Sequence, residues 1–165
     1  MKVFGKNVFN ELKNNKERIK KVYLSSSFND KSIIEYIQQN KIPYITVEKK
    51  KFDKIVDGHT QGIILEINEY AYKNIKDIDL TQKKIVVLDH LEDPHNFGAI
   101  IRTCEAYGVK SIIIPKDRSV TINATVIKTS TGALEYVDIY EVTNLKNALE
   151  FLKDNGYFVY GAEAD

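Results

Sequence analysis

The 165 residues contain one cysteine, three histidines and three arginines. A single thiol, Cys104, excludes an internal disulfide. His59, His90 and His95 lack the paired spacing of zinc ligands, and one cysteine cannot complete such a set, so no metal is expected. No apolar run approaches the roughly 20 residues that cross a bilayer, and the start has no secretory pattern, so the reading is a cytoplasmic chain without a membrane partner. Neither G-x-G-x-x-G nor G-K-[ST] occurs, which argues against a dinucleotide or nucleoside triphosphate enzyme. A Ser-His-Asp set could recruit Ser130, His95 and Asp89 but lacks a nucleophile elbow. Internal repeats and low-complexity stretches are absent as well.

The chain is 43% hydrophobic, enough for one good core or two small ones. Net charge is only +1, but it is unevenly divided: 13 Lys+Arg stand against 9 Asp+Glu through Tyr70, and 11 against 14 from Ala71 onward. The front part is therefore the candidate for touching a phosphate backbone, with Lys13, Lys16, Arg18, Lys20, Lys21 and the Lys49 to Lys51 run as basic patches. Lysine runs are also ordinary solvated faces, and composition alone leaves that alternative open.

Periodicity divides the chain into two α/β series. The first reads as a helix at 6–14, a strand at 18–24, a helix at 31–40, a strand at 44–47, a short helix at 49–56 and a strand at 62–67. Residues 70–82 are polar, lack a sustained period and read as a linker. The second series runs through a buried strand at 84–89, a helix at 96–107, a strand at 111–115, a helical segment at 122–129, a strand at 136–140, a helix at 144–155 and a strand at 157–161. Alternation of this kind predicts a parallel sheet whose ligand sites lie beyond the strand carboxyl ends, at the turns after Asp89 and Pro115.

One of those turns leads into LDHLEDPHNFGAIIRTCEAYG, Leu88 to Gly108. Asp93 or Asn96 can cap a helix, Pro94 suits an early helical position and Gly108 a stop. At about 100° per residue, Phe97, Ile100, Ile101, Cys104 and Tyr107 gather on one side. Arg102 falls opposite them, beside Gly98, Ala99 and Ala106. Small residues around one arginine, in a chain rich in lysine, suggest the close approach of a ligand or another backbone, although an ordinary surface arginine fits the periodicity equally well. Cys104 reads as a core residue rather than a nucleophile. After the strand at 111–115, Lys116 and Arg118 sit in a loop, and Lys128, Ser130 and Gly132 follow at a helix end. Arginine suits planar, bidentate contact with phosphate, where lysine supplies bulk charge.

The segment LDHLEDPHNFGAIIRTCEAYGV closely resembles the first motif of the SpoU-type (TrmH-like) RNA ribose 2′-O-methyltransferases of the knotted SPOUT superfamily, roughly LD-x-x-x-D-P-x-N-x-G-x-x-x-R-x-A-x-x-x-G. Cys104 stands where that pattern prefers Ala. The likeness continues through IIIPKDRSVTINATVIKTSTGALEYVDIYEVTNL. FGKNVFNEL and HTQGIILEI resemble the substrate-binding domain of the RlmB-like branch, which methylates a guanosine ribose in large-subunit ribosomal RNA. The resemblance implies an RNA substrate-binding domain at 1–70, a linker at 71–83 and the first part of an α/β-knot domain at 84–165. It implies S-adenosylmethionine as cofactor, ribosomal RNA as partner and a homodimer at full length. Arg102 matches the arginine regarded as catalytic and Asn96 the asparagine that shapes the site. Because a guanidinium stays protonated up to a pKa of about 12 or above, Arg102 is expected to clamp a phosphate beside the target ribose rather than act as base. RNA contacts are expected from Lys116, Arg118, Lys128, Ser130, Lys20 and Lys21.

Family members continue with a G-S-E-G-x-G and a later S-L-N-V-S segment, neither of which occurs in this sequence. The cofactor-binding residues and knot segment are accordingly expected beyond Asp165, the chain is expected to be inactive as it stands, and the strand at 157–161 is expected to show an open, aggregation-prone edge. The competing reading is a non-catalytic RNA-binding or ribosome-assembly module; an unrelated α/β hydrolase or nucleotide binder has only coarse topology behind it.

Overall fold

Side chains of asparagine and aspartate set where most helices of this chain begin, because a short acceptor in extended conformation can bond the free N–H groups of a first helical turn. Asp30 accepts from Ile33 N, Asp93 from His95 N and Asn96 N, Asn123 from Val126 N and Asn144 from Asn147 N. The computed structural model describes residues 1–162. These fall into two compact units, one of Met1–Tyr70 with Ile122–Gly132, the other of Ala71–Thr121 with the residues from Ala133 onward.

The first unit holds β1 (Lys2–Phe4), α1 (Lys6–Leu12), β2 (Ile19–Ser25), α2 (Lys31–Gln39), β3 (Tyr44–Val47), α3 (Lys49–Phe52) and β4 (Ile63–Ile67). The sheet order is β1-β4-β2-β3, with β1 and β2 antiparallel to β4 and β3 parallel to β2. β4 is flanked on both sides, and its Ile63, Ile64, Leu65 and Ile67 are fully buried. Apolar residues at helical spacing, Phe9 and Leu12 on α1 and Ile33 and Ile37 on α2, are buried too. The Phe9 and Tyr36 rings meet edge to face at 5.9 Å. The helix expected at 6–14 ends at Leu12 and tightens into a 3-10 stretch, Lys13–Arg18.

In the second unit, β5 (Val86–Val87), α4 (Pro94–Ala106) and β6 (Ser111–Pro115) come first. Next in the chain is α5 (Ala124–Thr129), which belongs to the first unit, followed by β7 (Asp138–Val142) and α6 (Leu145–Asp154). β5, β6 and β7 form a parallel sheet in that order, as the alternation predicted. Central β6 is buried along its whole length.

Several sequence expectations change here. The strand expected at 84–89 is reduced to Val86–Val87 with a further bond from Leu88 N–H, and is half-buried, because β6 is its one strand neighbour among the described residues. The stretch read as a linker is built into the second unit: Lys73 N–H donates to the Ile139 carbonyl at 2.9 Å, Ile75–Asp77 forms a 3-10 turn, and Ile78 is buried with Ile113, Tyr140 and Leu152. Residues 157–161 form no strand. No backbone ladder takes them up, and Phe158 and Tyr160 are 86% and 89% exposed. Tyr107 is 74% exposed rather than packed, since α4 ends at Ala106 and Tyr107 leaves the helical path. Gly98, expected beside Arg102, is buried. Among the described residues, no helix is long and apolar enough to cross a membrane.

Candidate functional site

The last bond of the β5–β6 pairing runs from Leu88 N–H to the Ile113 carbonyl at 2.9 Å, and beyond it the chain turns sharply. His90 adopts a left-handed conformation with φ 50°, and its Nδ1 lies in close hydrogen-bond contact with the Asp89 carboxylate. The loop after β6 carries a second left-handed residue, Arg118, with φ 51°. Such conformations persist in non-glycine residues where surrounding structure holds them. Here the holding group is the Leu91 carbonyl, which accepts from Val120 N–H at 2.7 Å and from the Ser119 hydroxyl at 3.3 Å. The two loops at the carboxyl edge of the parallel sheet are thereby clasped together. Ser119 was not legible as part of the site, because a loop serine leaves no periodic signal.

α4 starts from this clasped turn. The Asp93 carboxylate accepts from His95 N–H at 2.7 Å and Asn96 N–H at 3.2 Å, and Pro94 occupies the first helical position, where no N–H is needed. The D-P-x-N pattern is thus a cap that leaves the Asn96 side chain exposed in the first turn. Phe97, Gly98, Ile101 and Cys104 are buried, while Ala99, Arg102 and Ala106 are exposed. Arg102 lies six residues beyond Asn96, about 9 Å along the axis. Burial pushes the Cys104 thiol above its ordinary pKa, which suits packing rather than nucleophilic chemistry.

The three arginines divide by surroundings. Arg18 lies 5.9 Å from the Tyr70 ring, whereas Arg102 and Arg118 are exposed and, among the described residues, in no ion pair. Unpaired guanidiniums on an exposed edge keep their five donors for an incoming oxyanion. Lys116 is exposed on the same loop as Arg118.

The remaining predicted RNA contacts lie in the first unit. Lys20 and Lys128 are exposed and Lys21 is half-buried. Ser130 is fully buried, its hydroxyl donating to the Ile127 carbonyl at 3.0 Å. It closes α5 and offers nothing to a ligand, so the expected RNA contact at Ser130 is corrected. Among the described residues, no cluster of three or more His, Cys, Asp or Glu is placed to hold a metal.

Comparison with known proteins gives these geometries a setting. The profile described as SpoU rRNA methylase matches residues 83–165, and that described as RNA 2′-O ribose methyltransferase substrate binding matches residues 2–73. A TrmH family tRNA/rRNA methyltransferase of Staphylococcus saprophyticus is 43% identical over 81% of this chain and 56% of its own length. Its counterpart in Staphylococcus haemolyticus is 40% identical over 89% of this chain and 63% of its own. Among solved structures, the SpoU methyltransferase AviRb of Streptomyces viridochromogenes, in complex with AdoMet, superposes with a TM-score of 0.71 at 14% identity, covering 93% of this chain and 58% of AviRb. An rRNA methyltransferase of Sinorhizobium meliloti gives 0.70 at 21% identity, covering 94% and 59%. The chain therefore spans roughly three-fifths of the length of these relatives. With both profiles matched in order along the sequence and α4 built on the first motif, the chain belongs to the SpoU rRNA methylase family.

Proposed function

We propose that this chain supplies the RNA-binding part and the ribose-facing side of a ribosomal RNA 2′-O-methyltransferase, acting on a guanosine of large-subunit RNA. The observation that carries the proposal is Arg102: exposed, unpaired among the described residues, and mounted on a helix whose start is fixed by the Asp93 cap. Methylating a ribose 2′-hydroxyl requires in-line alignment and support for the negative charge that grows on oxygen as the proton leaves. A bidentate contact of Arg102 with the phosphate beside the target ribose would orient the hydroxyl, and the guanidinium charge would support the developing alkoxide. Asn96, exposed in the first turn of α4, is assigned the shaping of the site. Lys116 and Arg118 are assigned to the neighbouring phosphates. The alanines beside Arg102 suit close approach of a second copy, and we assign a homodimer to the full-length protein.

The methyl group would come from S-adenosylmethionine. A cavity of about 330 Å³ beside β5 is lined by Lys84, Ile85, Val87, Leu152, Phe158 and Tyr160. Among its described lining residues it offers ammonium groups, tyrosine hydroxyls and apolar walls and no carboxylate to meet a sulfonium or ribose hydroxyls, so this cavity does not fit that cofactor. We assign the 165-residue chain alone RNA binding without catalysis.

The test is transfer of a tritiated methyl group to ribosomal RNA by the full-length protein, with mass-spectrometric mapping of the product. A ribose-methylated guanosine in large-subunit RNA is expected; label on a base, or on transfer RNA alone, overturns the reading. Calorimetric titration of the 165-residue chain with S-adenosylmethionine should show no binding. Tight binding there would overturn the assignment of a non-catalytic role to the isolated chain.

A further inference from the structure

Membership of the family leaves open which surface of the first unit meets RNA. We propose that single-stranded RNA lies across the part of its sheet bearing Lys2 of β1, Glu66 of β4, and Lys21 and Tyr23 of β2. This deepens the RNA-modifying reading above and rests on it.

Strand register places these side chains together. Lys2 and Lys21 both pair with Glu66, while Phe4 and Tyr23 both pair with Ile64. Directly opposed residues on neighbouring strands point to the same side, and residues two apart share a face. The result is a charged row, Lys2–Glu66–Lys21, beside a second row, Phe4–Ile64–Tyr23, in which Ile64 is fully buried between the half-buried Phe4 and Tyr23 rings. The second row continues to Ile45 of β3, which pairs with Tyr23 and is 39% exposed.

The charged row holds more cation than it can use. The ammonium groups of Lys2 and Lys21 lie 5.7 and 5.4 Å from the Tyr23 ring centroid, and the Tyr23 hydroxyl donates to Glu66 at 2.7 Å. The Tyr23 hydrogen bond, and after it the fields of Lys2 and Lys20, hold the Glu66 carboxyl below its ordinary range. Lys2 and Lys20 thus act on one carboxylate, with Lys21 opposite it in strand register. The ammonium of Lys128 sits 5.7 Å from the Phe4 ring, bringing a fourth cation to the second row.

A phosphodiester chain would draw these ammonium groups off the rings, and a base could then stack on Tyr23. Duplex RNA hides its base faces and has no use for the rings, so their presence favours a single strand. The Lys49–Lys51 run carries comparable charge, but α3 is a single turn and makes no cation–ring contact among the described residues.

Fluorescence anisotropy with a labelled twelve-nucleotide oligouridylate and the 165-residue protein tests the face. Replacing Lys2 and Lys21 together by Gln should lower the slope of log affinity against log salt by about 1.4, at about 0.7 per phosphate contact on a single strand. Glu66→Gln, which removes the competing anion, should tighten binding. Tyr23→Phe keeps the ring and should bind within about twofold of wild type, whereas Tyr23→Leu should lose about fivefold or more. The Lys49→Gln, Lys51→Gln pair should leave the slope unchanged. Absence of wild-type binding, weaker binding by Glu66→Gln, a slope carried by Lys49 and Lys51, or equal affinity for a hairpin duplex would each overturn the proposal. Methyl transfer is not read in this assay, so failure of the face and failure of the enzymatic reading are separable.

Discussion

Asp30 and Arg102 are two charges with opposite surroundings. The Asp30 carboxylate is met by Lys6 Nζ at 2.8 Å, the Ser32 hydroxyl at 2.7 Å and Ile33 N–H, and the Lys6 contact does most to bring its pKa down to about 2. A carboxyl depressed on folding stabilises the fold above its unfolded pKa, near 3.8, and that contribution disappears as pH falls through the folded value near 2. The difference in melting temperature between wild type and Asp30→Asn should therefore be full at neutral pH and shrink between pH 4 and 2. A difference that does not change with pH would refute the link. Arg102 has no such partner among the described residues, so Arg102→Lys should leave thermal stability unchanged. Under the proposed function, the same substitution in a protein of the relatives' full length should lower kcat by roughly 100-fold, the scale of losing a preorganised donor, with RNA affinity little changed. Near-normal turnover would refute the clamp. Helical periodicity made Arg102 legible because α4 is long enough for the period to hold. It misplaced Tyr107, one residue past the helix end, and it could not show that the Ser130 hydroxyl turns inward to a carbonyl three residues back.

At the level of elements, caps carry much of the local information. Asp93 satisfies two N–H groups of α4, so Asp93→Ala should cost about 1 kcal/mol in urea unfolding. An unchanged midpoint would show that water replaces the cap. β3 and β6 could be read from sequence to the residue, because short branched runs bounded by turn residues have few alternatives. β1 was missed: three residues give no period, and its strand character comes from pairing with β4. The overestimates at 84–89 and 157–161 share a cause, since apolar sequence shows strand propensity but not whether a neighbour is there to pair with.

Over the whole molecule, the unit boundaries depart from the order of the sequence. Ile122–Gly132 belongs with a sheet made entirely from residues before Tyr70, and α5 contacts β1 there. A fragment of residues 1–70 should therefore unfold at lower denaturant than the same unit in the intact chain, followed by circular dichroism. Equal midpoints would show that α5 adds nothing. Such an excursion is invisible to periodicity, which reports what a segment becomes and not where it goes.

The backbone consequently passes between the two units three times: after Tyr70, after Thr121 and after Gly132. A protease cut between Tyr70 and Ala71 would break one covalent thread, and the severed first unit would still be gripped by a helix belonging to the other piece. The nicked protein should elute from gel filtration as one species and separate only in denaturant, so that a single bond broken in the middle of the chain leaves the protein intact to every method that does not first unfold it.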